Sequence, residues 1–307
     1  MTVILLQCET RGENLKRRPK GAQKGNLTET NTPPIAIFDS GLGGLTVMRE
    51  VAARLPRESI VYFGDTARVP YGTKSERTVR RYAVENVNFL LRFEPKLVIA
   101  ACNTVSSVAM PHLGQTFRLP ILGVVEPGAR AAVQATGRRR VGVIATEATI
   151  KSGAYRRAIA ALDPGVHVES KATPLLVPVV EEGRDETDPA TLLIIEQYLR
   201  PLIETGIDTL VLGCTHYPLL KAAIAKVAGG EVKVIDSARA TAAEVVELIA
   251  EKSGSDEDAN ASAPPYPQYR FYVSDSCQRF LEIGGRFFGR DLANVTEITP
   301  EEFFFQK

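Results

Sequence analysis

One pattern recurs along this chain and limits the folds open to it: a short apolar run, a loop of glycine or small polar residues, then a helical stretch. Ile35-Ala36-Ile37-Phe38 leads into Asp39-Ser40-Gly41-Leu42-Gly43-Gly44 and then into helical spacing through Leu45, Val47, Met48 and Val51. Further apolar runs lie at 60–63, 97–101, 121–125, 141–144, 210–212 and 232–235, and most stop at a glycine or small polar residue. Runs this short, bounded by turn residues and alternating with helical patterns, predict an α/β fold with parallel sheets covered by helices. In such sheets ligands bind beyond the carboxyl ends of the strands, where loops and helix N-termini present backbone N–H groups. Here those ends carry Asp39-Ser40, Gly64-Asp65, Cys102-Asn103-Thr104, Glu126, Thr146 and Cys214-Thr215-His216.

Two segments read as copies. Leu97-Val98-Ile99-Ala100-Ala101-Cys102-Asn103-Thr104 overlays Thr209-Leu210-Val211-Leu212-Gly213-Cys214-Thr215-His216 with one residue of slack. A second correspondence precedes each: the strand at 35–38 entering Asp39-Ser40 matches the strand at 141–144 entering Thr146. From Ile35 to Cys102 is 67 positions and from Val141 to Cys214 is 73. Similar elements at similar spacing predict two related α/β lobes, each placing a cysteine at a strand end. If the lobes face each other, both thiols approach one cleft from opposite sides.

Composition bounds the function. A chain of 307 residues with 44% apolar content can bury the cores of two ordinary domains. Lys and Arg total 37 against 36 Asp and Glu, so there is no global field to recruit nucleic acid or an anionic membrane. Small-molecule chemistry is favoured. Cys8, Cys102, Cys214 and Cys277 are too sparse for a disulfide framework or a zinc site, and are read as free thiols of a reducing, cytoplasmic compartment. The apolar stretch at 3–6 is too short for a signal peptide or a membrane span. Residues 1–34 carry Arg11, Lys16, Arg17, Arg18, Lys20 and Lys24 and close on Thr32-Pro33-Pro34, which reads as a mobile basic extension.

A cysteine at a strand end before a helix meets unpaired N–H groups that lower a thiol pKa. A lone strand-end cysteine is more often buried and inert, and Cys8 and Cys277 are read that way. The pair is different. Asn103 and Thr104 follow one thiol, Thr215 and His216 the other, and all four can hydrogen-bond the carboxylate and ammonium groups of an amino acid. Asp39 is placed to orient or accept the proton of Cys102, and His216 that of Cys214. Racemisation removes an α-proton on one face and returns one on the other, so it needs two acid/base groups in opposite protonation states. Two cysteines satisfy that symmetry.

Three other readings stand beside this one. A hydrolase using one cysteine with His216 as base leaves the other cysteine idle. A nucleotide site at Gly41-Leu42-Gly43-Gly44 lacks the Walker lysine and the dinucleotide fingerprint spacing, so this loop reads as a tight turn allowing close backbone approach. A binding protein is supported only by the basic extension. His112 and His167, without Cys, Asp or Glu partners at ligand spacing, are read as structural or exposed. Nothing implies pyridoxal phosphate, metal or nicotinamide, so no cofactor is expected.

The chain resembles the aspartate/glutamate racemase family, and within it the glutamate racemases, from about Pro34 to the C-terminus. The resemblance rests on Ile37-Phe38-Asp39-Ser40-Gly41-Leu42-Gly43-Gly44, Tyr62-Phe63-Gly64-Asp65-Thr66-Ala67-Arg68-Val69-Pro70-Tyr71-Gly72, Ala101-Cys102-Asn103-Thr104 and Leu212-Gly213-Cys214-Thr215-His216-Tyr217-Pro218 in this order. It implies interconversion of L- and D-glutamate for peptidoglycan synthesis, with Cys102 and Cys214 as the proton donor/acceptors and Asp39, His216 and Glu181 supporting them. Substrate contacts are implied at Asp39, Ser40, Tyr71, Gly72, Asn103, Thr104, Thr215 and His216. It also implies two lobes about a pseudo-twofold axis, 35–131 with 238–307 and 132–237, the last segment returning after a linker at 253–267. Val273-Ser274-Asp275 and a helix-like Ser276 to Phe288 fit that return. A homodimer, activation by UDP-N-acetylmuramoyl-alanine, a related acidic substrate such as aspartate, and a second activity on a nucleic-acid enzyme such as gyrase are further family properties.

Overall fold

The computed structural model describes residues 6–7, 33–253 and 267–299. In chain order the strands are β1 Leu6–Gln7, β2 Ile35–Asp39, β3 Ile60–Gly64, β4 Leu97–Ala100, β5 Ile121–Gly123, β6 Arg140–Ala145, β7 His167–Ala172, β8 Thr209–Gly213, β9 Lys233–Asp236, β10 Tyr269–Val273 and β11 Val295–Glu297. The α-helices are α1 Leu45–Arg54, α2 Glu76–Leu90, α3 Asn103–Val108, α4 Met110–Thr116, α5 Val125–Ala135, α6 Glu147–Ser152, α7 Ala154–Leu162, α8 Leu176–Glu181, α9 Pro189–Glu204, α10 Lys221–Ala228, α11 Ser237–Ser253 and α12 Cys277–Phe288.

The strands form two sheets, ordered β1-β11-β10-β3-β2-β4-β5 and β7-β6-β8-β9. Every pairing is parallel except that of β1 with β11. The four-strand order β3-β2-β4-β5 of the larger sheet is repeated by β7-β6-β8-β9 in the smaller. Under that correspondence β2 matches β6, and β4, which precedes Cys102, matches β8, which precedes Cys214. The duplicated strand ends of the sequence are therefore topological equivalents.

Strands β2, β3, β4 and β8 are buried along their whole length, as both faces of a covered parallel sheet require. Their side chains alternate between separate cores. Ile35 and Ile37 of β2 point into one cluster, Ala36 and Phe38 into another. The first cluster also takes Ile144, Leu210 and Leu212 from the smaller sheet, so one continuous apolar layer joins the two lobes. Val141, Val143 and Val211 line the outer core of the smaller sheet. Helix starts follow local chemistry: Ser75 accepts from the Thr78 N–H at α2, Asp188 from the Ala190 N–H at α9, and Thr146 from the Thr149 N–H at α6.

Three expectations are corrected. The extension at 1–34 is not wholly a mobile tail, because Leu6 pairs with Glu297 and Gln7 with Thr296 at the sheet edge. An open strand edge is a ready template for such pairing, which charge patterning does not reveal. Cys277 is disulfide-bonded, so the reading of four free thiols holds for Cys102 and Cys214 and fails there. Wide spacing excludes a disulfide framework but not a single bridge, which depends on proximity in space. The reducing compartment inferred from free thiols loses that support. Finally, the run at 121–125 is a strand only over Ile121–Gly123, and Val125 already begins α5. The rest of the basic extension and the linker up to residue 266 lie outside the described residues.

Candidate active site

Cys102 lies just past β4 at the cap of α3 and is buried, with its thiol 3.6 Å from Ser40 Oγ. Burial pushes this thiol up to about 12, and the negative charge of Asp39 adds to the effect. The expectation that a helix start lowers the thiol pKa fails here. The Val105 N–H and Ser40 act in that direction and are outweighed by desolvation. Cys102 therefore holds its proton at neutral pH.

Cys214 follows β8 directly and is equally buried, with Sγ 4.0 Å from His216 Nδ1. The other ring nitrogen, Nε2, is 3.1 Å from Glu181 Oε1. Burial alone lowers an imidazole pKa, but the contacts with Cys214 and Glu181 reverse the sign and raise His216 to about 10. His216 is thus an imidazolium at neutral pH, placed beside a sulfur. Glu181 is held below the usual carboxylate range, chiefly by its hydrogen bond to His216, with Arg279 contributing against the cost of burial. Its neighbour Glu182 instead pairs with Arg184 at the surface, so Glu181 is the residue that faces the site.

Asp39 ends β2 fully buried and accepts from the Gly41 N–H at 3.0 Å. Burial raises its pKa against the attraction of His216 and the backbone N–H groups of residues 40, 41 and 44. Its Oδ1 and the Nδ2 of Asn103 are buried without hydrogen-bond partners among the described residues.

The glycine loop after β2 packs directly against the other lobe. A Cβ on Gly43 would lie 2.1 Å from Thr215 Oγ1 and 2.5 Å from His216 Nδ1. The close backbone approach read from the sequence is present, and its partner is the second cysteine segment. Thr46 adds a hydrogen bond to the Thr215 carbonyl at 2.9 Å. Gly72 likewise abuts the other lobe, since its Cβ would fall 2.8 Å from Thr146 Cβ. Asn103 Oδ1 accepts from the Tyr155 hydroxyl at 2.7 Å, and Thr104 Oγ1 lies 3.1 Å from Thr146 Oγ1.

Asp39, Ser40, Cys102, Cys214, Thr215, His216 and Glu181 are thus linked by direct contacts or by the Gly43 approach. Asn103, Thr104 and Gly72 are joined to the second lobe. Tyr71 stands apart: its hydroxyl is engaged by Asp65 and receives the Asn86 amide at 3.3 Å. Glu126, also grouped with the strand ends, is exposed. His167 does have a carboxylate partner, Glu169, at 2.8 Å on the surface. Contacts that sequence spacing did not indicate are Tyr155 on Asn103, Thr46 on Thr215 and Arg279 on Glu181. Each crosses between distant segments and leaves no local signal.

The family model described as Asp/Glu/hydantoin racemase matches residues 42–245. A glutamate racemase of Syntrophus aciditrophicus is 50% identical over 273 residues, covering 89% of this chain and 99% of that protein. The crystal structure of glutamate racemase isoform RacE1 from Bacillus anthracis superposes with a TM-score of 0.80 at 39% identity, covering 87% of this chain and 97% of that one. Escherichia coli glutamate racemase, solved in complex with L-glutamate and the activator UDP-MurNAc-Ala, superposes at 0.66 with 27% identity, covering 86% of this chain and 97% of that one. With a cysteine after each of two equivalent strands and these matches, the chain belongs to the Asp/Glu/hydantoin racemase family.

Proposed function

We propose that this protein interconverts L- and D-glutamate without a cofactor, with Cys102 and Cys214 acting on opposite faces of the α-carbon. The observation that carries this reading is the placement of the two thiols after equivalent strands, β4 and β8, in the four-strand order that the two sheets share.

In one direction Cys214 takes the α-proton, the C–H electron pair stays on the substrate and spreads into its carboxyl group, and the Cys102 thiol gives its proton to the opposite face. The reverse direction exchanges the roles. Cys102 is suited to donate because it keeps its proton at neutral pH. The imidazolium of His216 offsets negative charge on the Cys214 sulfur, and Glu181 fixes the ring from its far side. The unpartnered Oδ1 of Asp39 and Nδ2 of Asn103 suit an ammonium and a carboxylate respectively. Ser40, Thr104, Thr215 and His216 complete the substrate contacts in this proposal. Tyr71 and Gly72 enter it through their backbone, because the Tyr71 hydroxyl is occupied.

Family relatives named for glutamate favour that substrate over aspartate and over a purely binding role. Incubation of the purified protein with each glutamate enantiomer and with D-aspartate, without cofactor, is expected to bring only glutamate to an equal mixture. Turnover of aspartate in place of glutamate overturns the substrate assignment and keeps the two-base chemistry. The D-glutamate formed is assigned to peptidoglycan precursor synthesis in the cytoplasm. No helix among the described residues is long and apolar enough to cross a membrane. The lobe limits 35–131 with 238–307 and 132–237 are part of the reading and are supported by sheet membership. Activation by UDP-MurNAc-Ala, named for the E. coli relative, and a homodimer are carried over as family expectations.

A further inference from the structure

Helix α12 lies between β10 and β11 of the larger sheet, yet two of its side chains reach the Glu181–His216 pair of the smaller lobe and a third reaches the adjoining Val180. Arg279 Nη2 is 3.1 Å from Glu181 Oε2, while Glu181 Oε1 is 3.1 Å from His216 Nε2. Each carboxylate oxygen therefore has its own partner, which fixes the rotation of the group. Arg286, seven residues on and so on the same helical face, donates to the Val180 carbonyl at 3.1 Å. Val180 and Glu181 end α8, and the Val180 carbonyl accepts from Arg286 as well as from the Gly183 N–H at 3.1 Å. The ring of Phe287 meets His216 edge-on with centroids 5.1 Å apart.

We propose that Arg279 is a positioning residue for the racemisation: it holds Glu181 against His216, and so ties the charge beside Cys214 to the docking of α12 on the second lobe. This role rests on the function proposed above. The groups acting on His216 are Cys214 at Nδ1, Glu181 at Nε2, Asp39 through its charge and the apolar edge of Phe287. Arg279 reaches it through its contact with Glu181. Released from Arg279, the Glu181 side chain, about a quarter exposed, is free to turn to water, and His216 loses the partner that keeps it protonated.

The test is Arg279→Gln in the full chain, assayed across pH. Because the ion pair is partly solvated, the expected fall in kcat is about fivefold, with KM within about twofold. The alkaline limb of the profile moves to lower pH by about half a unit. Since a racemisation has an equilibrium constant of unity, kcat/KM must fall equally for both enantiomers. Arg279→Lys is expected to restore most of the loss. Arg184→Gln, which removes the neighbouring pair with Glu182 at the surface, is expected to leave the profile unchanged. A purely structural Arg279 lowers thermal stability without moving the limb, and that result overturns the proposal, as does a limb displaced upward. A wild type that racemises normally beside such a variant leaves the proposed function standing. A wild type inert on glutamate overturns that function, and this role with it.

Discussion

His216 carries the electrostatics of this site because burial and hydrogen bonding pull its pKa in opposite directions and hydrogen bonding wins. Its folded pKa of about 10 exceeds the ordinary imidazole value of 6.5. A raised value in the native state means that the stability it contributes is fully present below pH 6.5 and is lost as pH rises through about 10. Thermal melts between pH 6.5 and 9 are expected to show this decline, on the order of a few kcal/mol over the full window, and His216→Gln is expected to flatten it. Above pH 9 a second decline enters from Cys102, whose thiol is pushed up to about 12. A wild-type stability that is level from pH 6.5 to 9 contradicts an imidazolium at this position.

The loop between β2 and α1 shows what an element must do to bring two lobes to one substrate. Its glycines were legible in the sequence as a close-approach turn, but the surface approached was not, because Thr215 lies far along the chain. Gly43→Ala places a methyl group 2.1 Å from Thr215 Oγ1 and 2.5 Å from His216 Nδ1, so the loop or the cysteine segment must retreat. A shift of about 1 Å costs on the order of a hundredfold in rate, which steady-state kinetics on Gly43→Ala is expected to show. Activity within a few-fold of wild type contradicts the tight packing described. Other elements were legible to different degrees. Strands β2, β4 and β8 announce themselves as unbroken apolar runs. Strand β7, His167-Val168-Glu169-Ser170-Lys171-Ala172, is half polar because it forms the edge of its sheet, and it gave no such signal. Arg279 reaches Glu181 over 98 residues, a contact that only tertiary structure supplies.

Across the whole molecule the repeated strand order turns a faint sequence repeat into two lobes with equivalent strand ends. The Tyr155–Asn103, Thr104–Thr146, Thr46–Thr215 and Arg279–Glu181 contacts hold those ends together, over a core shared by both sheets. The position of each cysteine was readable from its strand. That Cys102 keeps its proton was not, because this comes from burial and from Asp39 rather than from neighbours in sequence. The most direct measurement is α-deuterium incorporation in D2O for wild type, Cys102→Ser and Cys214→Ser with each glutamate enantiomer. Two bases on opposite faces predict that both variants lose racemisation, while each retains any exchange it shows with one enantiomer only, the opposite one in each variant. Racemisation that survives either substitution, or exchange of both enantiomers by a single-cysteine variant, contradicts two cysteine bases acting on opposite faces.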